Sequence, residues 1–200
     1  MAKVLYTNAN LLDGTNPAQP GSSVTVEEGR IKAVSGPGAS AGGSHEQVID
    51  LQGRTLMPGM VMGHWHGAYA NYGADGGSQA FSGVEQAFLA LSNVQLALDC
   101  GYTTLISAGT HYNIDVELAQ SIEAGHATGP RIISCSRNYM PAQDAASTMA
   151  NEELCMTSGP DAFSEGARYD LDRGVQIIKI FASGGHGAPE GMQMTAEEIQ

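Results

Sequence analysis

The chain has 200 residues, is 42% hydrophobic and 15% charged, and contains 26 glycines, which places it among globular proteins with a sizeable core and excludes a disordered polypeptide. Its formal net charge is -12, with 9 basic against 21 acidic residues, so it lacks the basic surface that nucleic acid or an anionic membrane requires. Three cysteines, Cys100, Cys135 and Cys155, show no Cys-x-x-Cys spacing and read as reduced thiols, and the amino terminus has no apolar signal region. A soluble, cytoplasmic protein is expected.

Residues 1–55 read as short strands with turn punctuation. Val4–Tyr6 leads to Asp13-Gly14, and Val24–Val26 leads to Glu28-Gly29, which hinges into Arg30–Val34. Acidic-Gly steps between alternating apolar runs specify hairpins. Residues 36–44 read as a flexible loop, after which Val48–Leu51 and Thr55–Met57 resume extended structure. This segment is too short for an independent all-β domain of usual size and is expected to be a small sheet packed on a larger domain.

From Leu56 onward the pattern alternates between strand and helix. The run Leu56-Met-Pro-Gly-Met-Val-Met-Gly-His-Trp-His66 is an apolar strand ending in two histidines one residue apart. Residues i and i+2 of a strand share a face, so His64 and His66 project side by side, as half of a zinc or other transition-metal site would. A Gly-rich loop, 67–83, follows. A helix is expected over Val84–Asp99 with Ala87, Leu91, Val94 and Leu98 as its buried stripe, and Gly101 just past its end. Tyr102–Ile106 is a strand. Asn113 or Asp115 caps a helix striped by Ile114, Leu118 and Ile122 and stopped by Gly125. Arg131–Cys135 is a third strand, residues 136–160 a long loop, Asp161–Gly174 a third helix and Val175–Phe181 a fourth strand. Thr195 and Glu198 form a capping box for a last helix. Such alternation predicts right-handed βαβ units and a parallel sheet, with the site in the loops that follow the strands.

Lys179 lies on the same strand face as Ile177 and Phe181. Either its ammonium snorkels to water or pairs with an acid, as a lysine at a strand end ordinarily does, or it is buried unpaired, which is costly and favours the neutral amine. A neutral amine can take up carbon dioxide as a carbamate, which is carboxylate-like and able to bridge two cations. No Gly-rich phosphate loop follows a strand and no Gly-x-Ser-x-Gly elbow occurs, so neither nucleotide binding nor a serine hydrolase is supported. His111 and His186 fall in loops after strands and are candidate substrate contacts, as are Tyr139 and, more weakly, Tyr69. His45 and His126 read as solvated. Met140, Met149, Met156, Met192 and Met194 fall in or beside loops, where they could line an apolar pocket.

Taken together, Val26-Glu-Glu-Gly-Arg-Ile-Lys-Ala-Val34, Val48-Ile-Asp-Leu-Gln-Gly-Arg-Thr-Leu-Met-Pro-Gly59, His64-Trp-His66, Gly101-Tyr-Thr-Thr104, Gly129-Pro-Arg-Ile132 and Ile178-Lys-Ile180 with Ser183-Gly-Gly185 resemble the amidohydrolase superfamily. The likeness is to its imidazolonepropionase-like and Xaa-Pro dipeptidase-like branch. The resemblance implies an α/β fold: the amino-terminal portion, 56–200, of a (β/α)8 barrel beside a small β-sandwich over 1–55. It implies a hydrolase of C–N bonds with two divalent metal ions, usually zinc, His64 and His66 as ligands, and Lys179 as the carboxylated bridge. A metal-activated hydroxide would attack the carbonyl carbon of a small-molecule or dipeptide-like substrate. The whole protein is expected to be a homo-oligomer. Two departures stand out: Met62 replaces the acidic residue usual before the histidine pair, and Ile106-Ser107 replaces an Arg-Asp pair. Two further histidines and a catalytic aspartate are implied beyond residue 200. A closed barrel takes about 250 residues, so this segment alone is expected to be inactive. The rival expectation is a non-catalytic barrel relative that binds a small ligand and has lost its metals.

Overall fold

The structure, a computed structural model, describes residues 3–39, 44, 46–70, 81–142, 149–150, 154–183 and 193–200. The chain divides into two units, Met1–Pro58 and Gly59–Gln200.

The first unit is built on Lys3–Leu11 (β1). Gln19–Glu27 (β2) pairs antiparallel with β1, and Arg30–Ser35 (β3) pairs antiparallel with β2. Gln47–Asp50 (β4) and Thr55–Leu56 (β5) both pair parallel with β1. The β2–β3 hairpin turns on Glu28 (φ 52°) and Gly29 (φ 70°), the two left-handed residues that a tight hairpin needs. Asp13 organises the β1–β2 connection by accepting from the backbone amides of Thr15 at 2.9 Å and Asn16 at 2.8 Å. These bonds hold its carboxyl well below the usual range, at about 2. Leu5, Ala9, Leu11 and Val24 form the buried face. Among the described residues of this unit there is one sheet, order β3-β2-β1-β4 with β5 also on β1, and the second layer of the expected sandwich is not among them. Because β5 pairs with β1, the division falls after Pro58, three residues beyond the expected 55/56 boundary.

The second unit opens with Met60–Trp65 (β6), followed by helix Gly83–Asp99 (α1) and Tyr102–Ser107 (β7). A single 3-10 turn at His111–Asn113 then leads into helix Ile114–Glu123 (α2) and Arg131–Ile133 (β8). The three strands pair parallel in the order β6-β7-β8. Parallel pairing joined by helices is the βαβ pattern expected from the alternation. Trp65, Leu105 and Ile132, one from each strand, pack with Ala90, Val94 and Ala97 of α1 and Ile114 and Leu118 of α2. Each large apolar side chain so buried contributes roughly 1.5–3 kcal/mol. α1 is capped by Ser82, whose backbone amide donates to Glu85 at 2.9 Å while its hydroxyl accepts from the Glu85 amide.

The expected stripe of α1 is rotated. Gln86, Ala90, Val94 and Ala97 face the sheet, whereas Ala87 and Leu91 join Val84, Phe88, Tyr112 and Leu118 around an open groove of about 520 Å³ between α1 and α2. Both stripes contain Val94, and the small alanines allow the helix to approach the sheet.

The third strand is interrupted. β8 ends at Ile133, Ser136 takes a left-handed conformation (φ 59°), and the chain resumes as Asn138–Pro141 (β9). Two further short strands, Met149–Ala150 (β10) and Leu154–Thr157 (β11), lie where a long loop is expected. β10 pairs antiparallel with its neighbour β11, and β11 pairs parallel with the non-consecutive β9. Helix Pro160–Asp172 (α3) leads to Lys179–Ile180 (β12), which pairs parallel with β9. The expected seven-residue strand is thus reduced to two residues. Opposite the interruption, Gln176 and Ile177 both donate to the single carbonyl of Ser134, at 3.0 Å each, instead of forming a ladder. A final turn, Ala196–Ile199 (α4), carries the expected Thr195–Glu198 capping box. No barrel closes among the described residues, and none of their helices is long and apolar enough to cross a membrane.

A candidate metal centre at the end of β6

The pair His64 and His66 is placed by an irregularity of β6. A strictly alternating strand would put Met62 on the same face as both histidines. The register shift between Met62 and Trp65 sends both of those residues into the helix-facing cluster. His64 and His66 therefore flank Trp65 from the opposite side, with His64 exposed and His66 half-buried.

Their Nε2 atoms lie 3.1 Å apart. His66 Nδ1 lies 3.0 Å from the Gly109 carbonyl oxygen, which can only accept, so Nδ1 carries the proton and Nε2 presents a lone pair. Burial lowers the His66 pKa, the Gly109 bond opposes that shift, and the charges of His64 and Lys179 lower it further. The neutral ring is the form a metal needs. Two imidazole nitrogens bound at about 2.0–2.1 Å to one tetrahedral zinc stand about 3.3 Å apart, close to the spacing seen here. The donor types, the tautomer and the outer bond from Nδ1 to a carbonyl all fit a metal.

Lys179 is half-buried on β12 with Nζ 5.4 Å from the centre of the Phe181 ring, so the two share a side as the period of two predicts. Tyr69 stacks on His66, with centroids 4.5 Å apart and planes 7° from parallel. The loop carrying Tyr69 is held by α1, since Asn93 Nδ2 donates to the carbonyls of Gly67 at 2.7 Å and Tyr69 at 3.1 Å. Among the described residues no group of three or more His, Cys, Asp or Glu side chains gathers. The site residues that the geometry brings together are His64 and His66.

The other candidates lie elsewhere. His111 is buried, with Nδ1 2.9 Å from Gln86 Oε1 of α1. Tyr139 is 1% exposed, in a cluster with Cys155, Phe163 and Met194, and its hydroxyl donates to Asp170. Asp170 also receives Arg137 Nη2 at 2.9 Å. Tyr139 could reach a substrate only after those bonds break. His45, His186 and Met192 lie outside the described residues, as does the Met149 side chain. Met194 is buried in the Tyr139 cluster.

Three contributors escape the sequence reading. Gly109 acts through its backbone carbonyl, which no residue type announces. Asn93 had one available signal, an amide beside Val94 on an otherwise apolar helix face. Asp115 is legible only as a helix cap, whereas its carboxylate reaches across to the break between β8 and β9.

No family model and no curated protein matches the sequence. Solved structures do match. A Xaa-Pro dipeptidase with methionine bound in its active site superposes with a TM-score of 0.84 at 22% identity, over 99% of this chain and 52% of that one. An amidohydrolase matches with a TM-score of 0.79 at 25% identity, over 98% and 52% of the two chains. A prolidase complexed with N-methylphosphonate-L-proline matches with a TM-score of 0.77 at 22% identity, again over 98% and 52%. The chain thus has the mixed α/β fold of the amino-terminal half of these structures and spans about half their length.

Proposed function

We propose that this chain contributes the first four strands of an eight-stranded barrel to a metal-dependent hydrolase of C–N bonds. The substrates in view are peptides, other amides and cyclic amides. The observation that carries the reading is the convergence of His64 and His66 Nε2 at 3.1 Å, with His66 Nδ1 tied to the Gly109 carbonyl. The shared fold with Xaa-Pro dipeptidase, prolidase and amidohydrolase structures supports it.

In this proposal His64 and His66 hold one of two divalent cations, most simply zinc. Lys179, as the carbamate formed when its neutral amine adds carbon dioxide and releases a proton, would help to hold them. When bound, such cations would supply Lewis-acid activation of a carbonyl and of water. The chain's own residues do the rest. Gly109 holds the His66 ring in register, and the Tyr69 ring covers one of its faces and keeps water off it. His186, outside the described residues, is the proposed polar contact to substrate, whereas His111 is buried against Gln86. Remaining ligands and the general base would come from the part of the fold beyond the shared span. A net charge of -12 disfavours anionic substrates at long range, so a neutral amide or a zwitterionic or basic dipeptide is the proposed class.

The test is hydrolysis of a panel of dipeptides, including Xaa-Pro, and lactams by the whole protein, before and after chelation. Under ¹³C-enriched carbon dioxide the wild type is expected to show a carbamate carbon resonance that Lys179→Ala lacks. Hydrolysis that survives complete chelation, or an unchanged resonance in Lys179→Ala, overturns the proposal.

A further inference from the structure

Asp115 touches neither histidine, yet its hydrogen bonds lead to one of them. The side chain is fully buried. Oδ1 accepts from Thr110 Oγ1 at 2.9 Å and from the Val116 amide at 3.0 Å. Oδ2 accepts from the amides of Cys135 at 2.8 Å and Ser136 at 2.9 Å. A helix cap needs only local amides. Here half of the acceptor capacity goes to the interruption between β8 and β9, where Ser136 is held at φ 59°.

The carbonyl of Ser136 in turn receives the Thr110 amide at 2.9 Å. That amide and the Gly109 carbonyl are opposite edges of one planar trans peptide, so fixing the direction of the first fixes the second. The Gly109 carbonyl is the group to which His66 Nδ1 donates. Gly109 sits at φ 118°, a conformation that L side chains rarely adopt, and a Cβ there would stand 2.6 Å from Asn138 Oδ1.

We propose that Asp115 is a positioning residue for the histidine pair. By clamping Ser136 and Thr110 it aims the Gly109 carbonyl and so locks His66 in the tautomer whose Nε2 lone pair faces His64. The inference deepens the metal-site reading above and rests on it for its purpose, although the tautomer itself needs no metal. Asparagine is the informative substitution, because it keeps the volume but puts an NH₂ group where one carboxylate oxygen accepts two donors.

The test is long-range ¹H–¹⁵N correlation on the histidine rings of the whole, metal-free protein, with zinc affinity by chelator competition alongside. Wild-type His66 is expected to be almost wholly Nδ1–H. Asp115→Asn and, to a smaller extent, Thr110→Val are expected to raise the Nε2–H population. In parallel, each variant that stays folded is expected to lose roughly 10–100-fold in zinc affinity, the range for loss of an outer partner. A merely stabilising aspartate would lower the unfolding midpoint without moving the tautomer. A folded variant with an unchanged tautomer overturns the inference, and so does a wild-type His66 found mainly as Nε2–H, even if no variant folds. Absence of zinc binding with the expected tautomers would count against the metal reading alone.

Discussion

His66 Nδ1 donates to the Gly109 carbonyl at 3.0 Å, and that bond turns the opposite nitrogen of the ring toward His64. It couples the end of β6 to the loop after β7, so the site depends on backbone geometry as much as on its side chains.

Gly109→Ala tests that coupling. A Cβ at this position would stand 2.6 Å from Asn138 Oδ1, on a backbone at φ 118° that L-residues avoid. The expected outcome is a loss of about 1–3 kcal/mol in urea unfolding, with a weaker response to zinc. An alanine variant as stable as wild type would show that the loop relaxes freely.

The Arg137–Asp170 pair is the most buried ion pair among the described residues, with side chains 11% and 2% exposed. Asp170→Ala leaves the guanidinium without its carboxylate and is expected to cost about 3–5 kcal/mol. Tyr139→Phe removes a neutral donor and is expected to cost about 1–3 kcal/mol. Equal losses by denaturant titration would contradict this ranking.

The same cluster predicts an alkaline effect. Burial, and then the Asp170 carboxylate, push the Tyr139 pKa well above its ordinary value of 10.0. A group whose folded pKa is raised adds stability fully present below its unfolded pKa and lost as pH climbs toward the folded one. Wild-type stability is therefore expected to fall above about pH 10, more steeply than that of Tyr139→Phe. Parallel pH profiles for the two proteins would refute the assignment.

Cysteine labelling gives a simple check of the second unit. Cys100 is exposed, while Cys135 and Cys155 are buried. Burial pushes the Cys135 thiol up to about 12. One thiol per native chain is expected to react at neutral pH, and three after unfolding. Rapid native labelling of Cys135 would mean that the β8–β9 junction opens.

Sequence periodicity exposes the parts of this fold that local rules control. The hairpin at Glu28-Gly29, the ends of α1 and α2 at Gly101 and Gly125, and the Thr195 cap are each set by a few adjacent residues. The His64/His66 pair was legible because two imidazoles closing an apolar strand need partners. What escaped is nonlocal. Strands β9, β10 and β11 are too short to alternate visibly, and β9 exists through pairing with the non-consecutive β11 and β12. The shortening of β12 follows from the left-handed turn at Ser136 in its neighbour, and the rotated face of α1 from alanines that fit the sheet better than leucines. Asp115 looked like a cap because its other partners lie about twenty residues further on, at Cys135 and Ser136.

The most direct test of the central claim is zinc binding by the whole protein, measured by titration calorimetry on wild type, His64→Ala and His66→Ala. Both substitutions are expected to weaken binding by more than the roughly 10–100-fold that loss of an outer partner causes, with unfolding midpoints little changed for the exposed His64. Equal zinc affinity and stoichiometry in all three proteins would contradict the assignment of this pair as a metal centre.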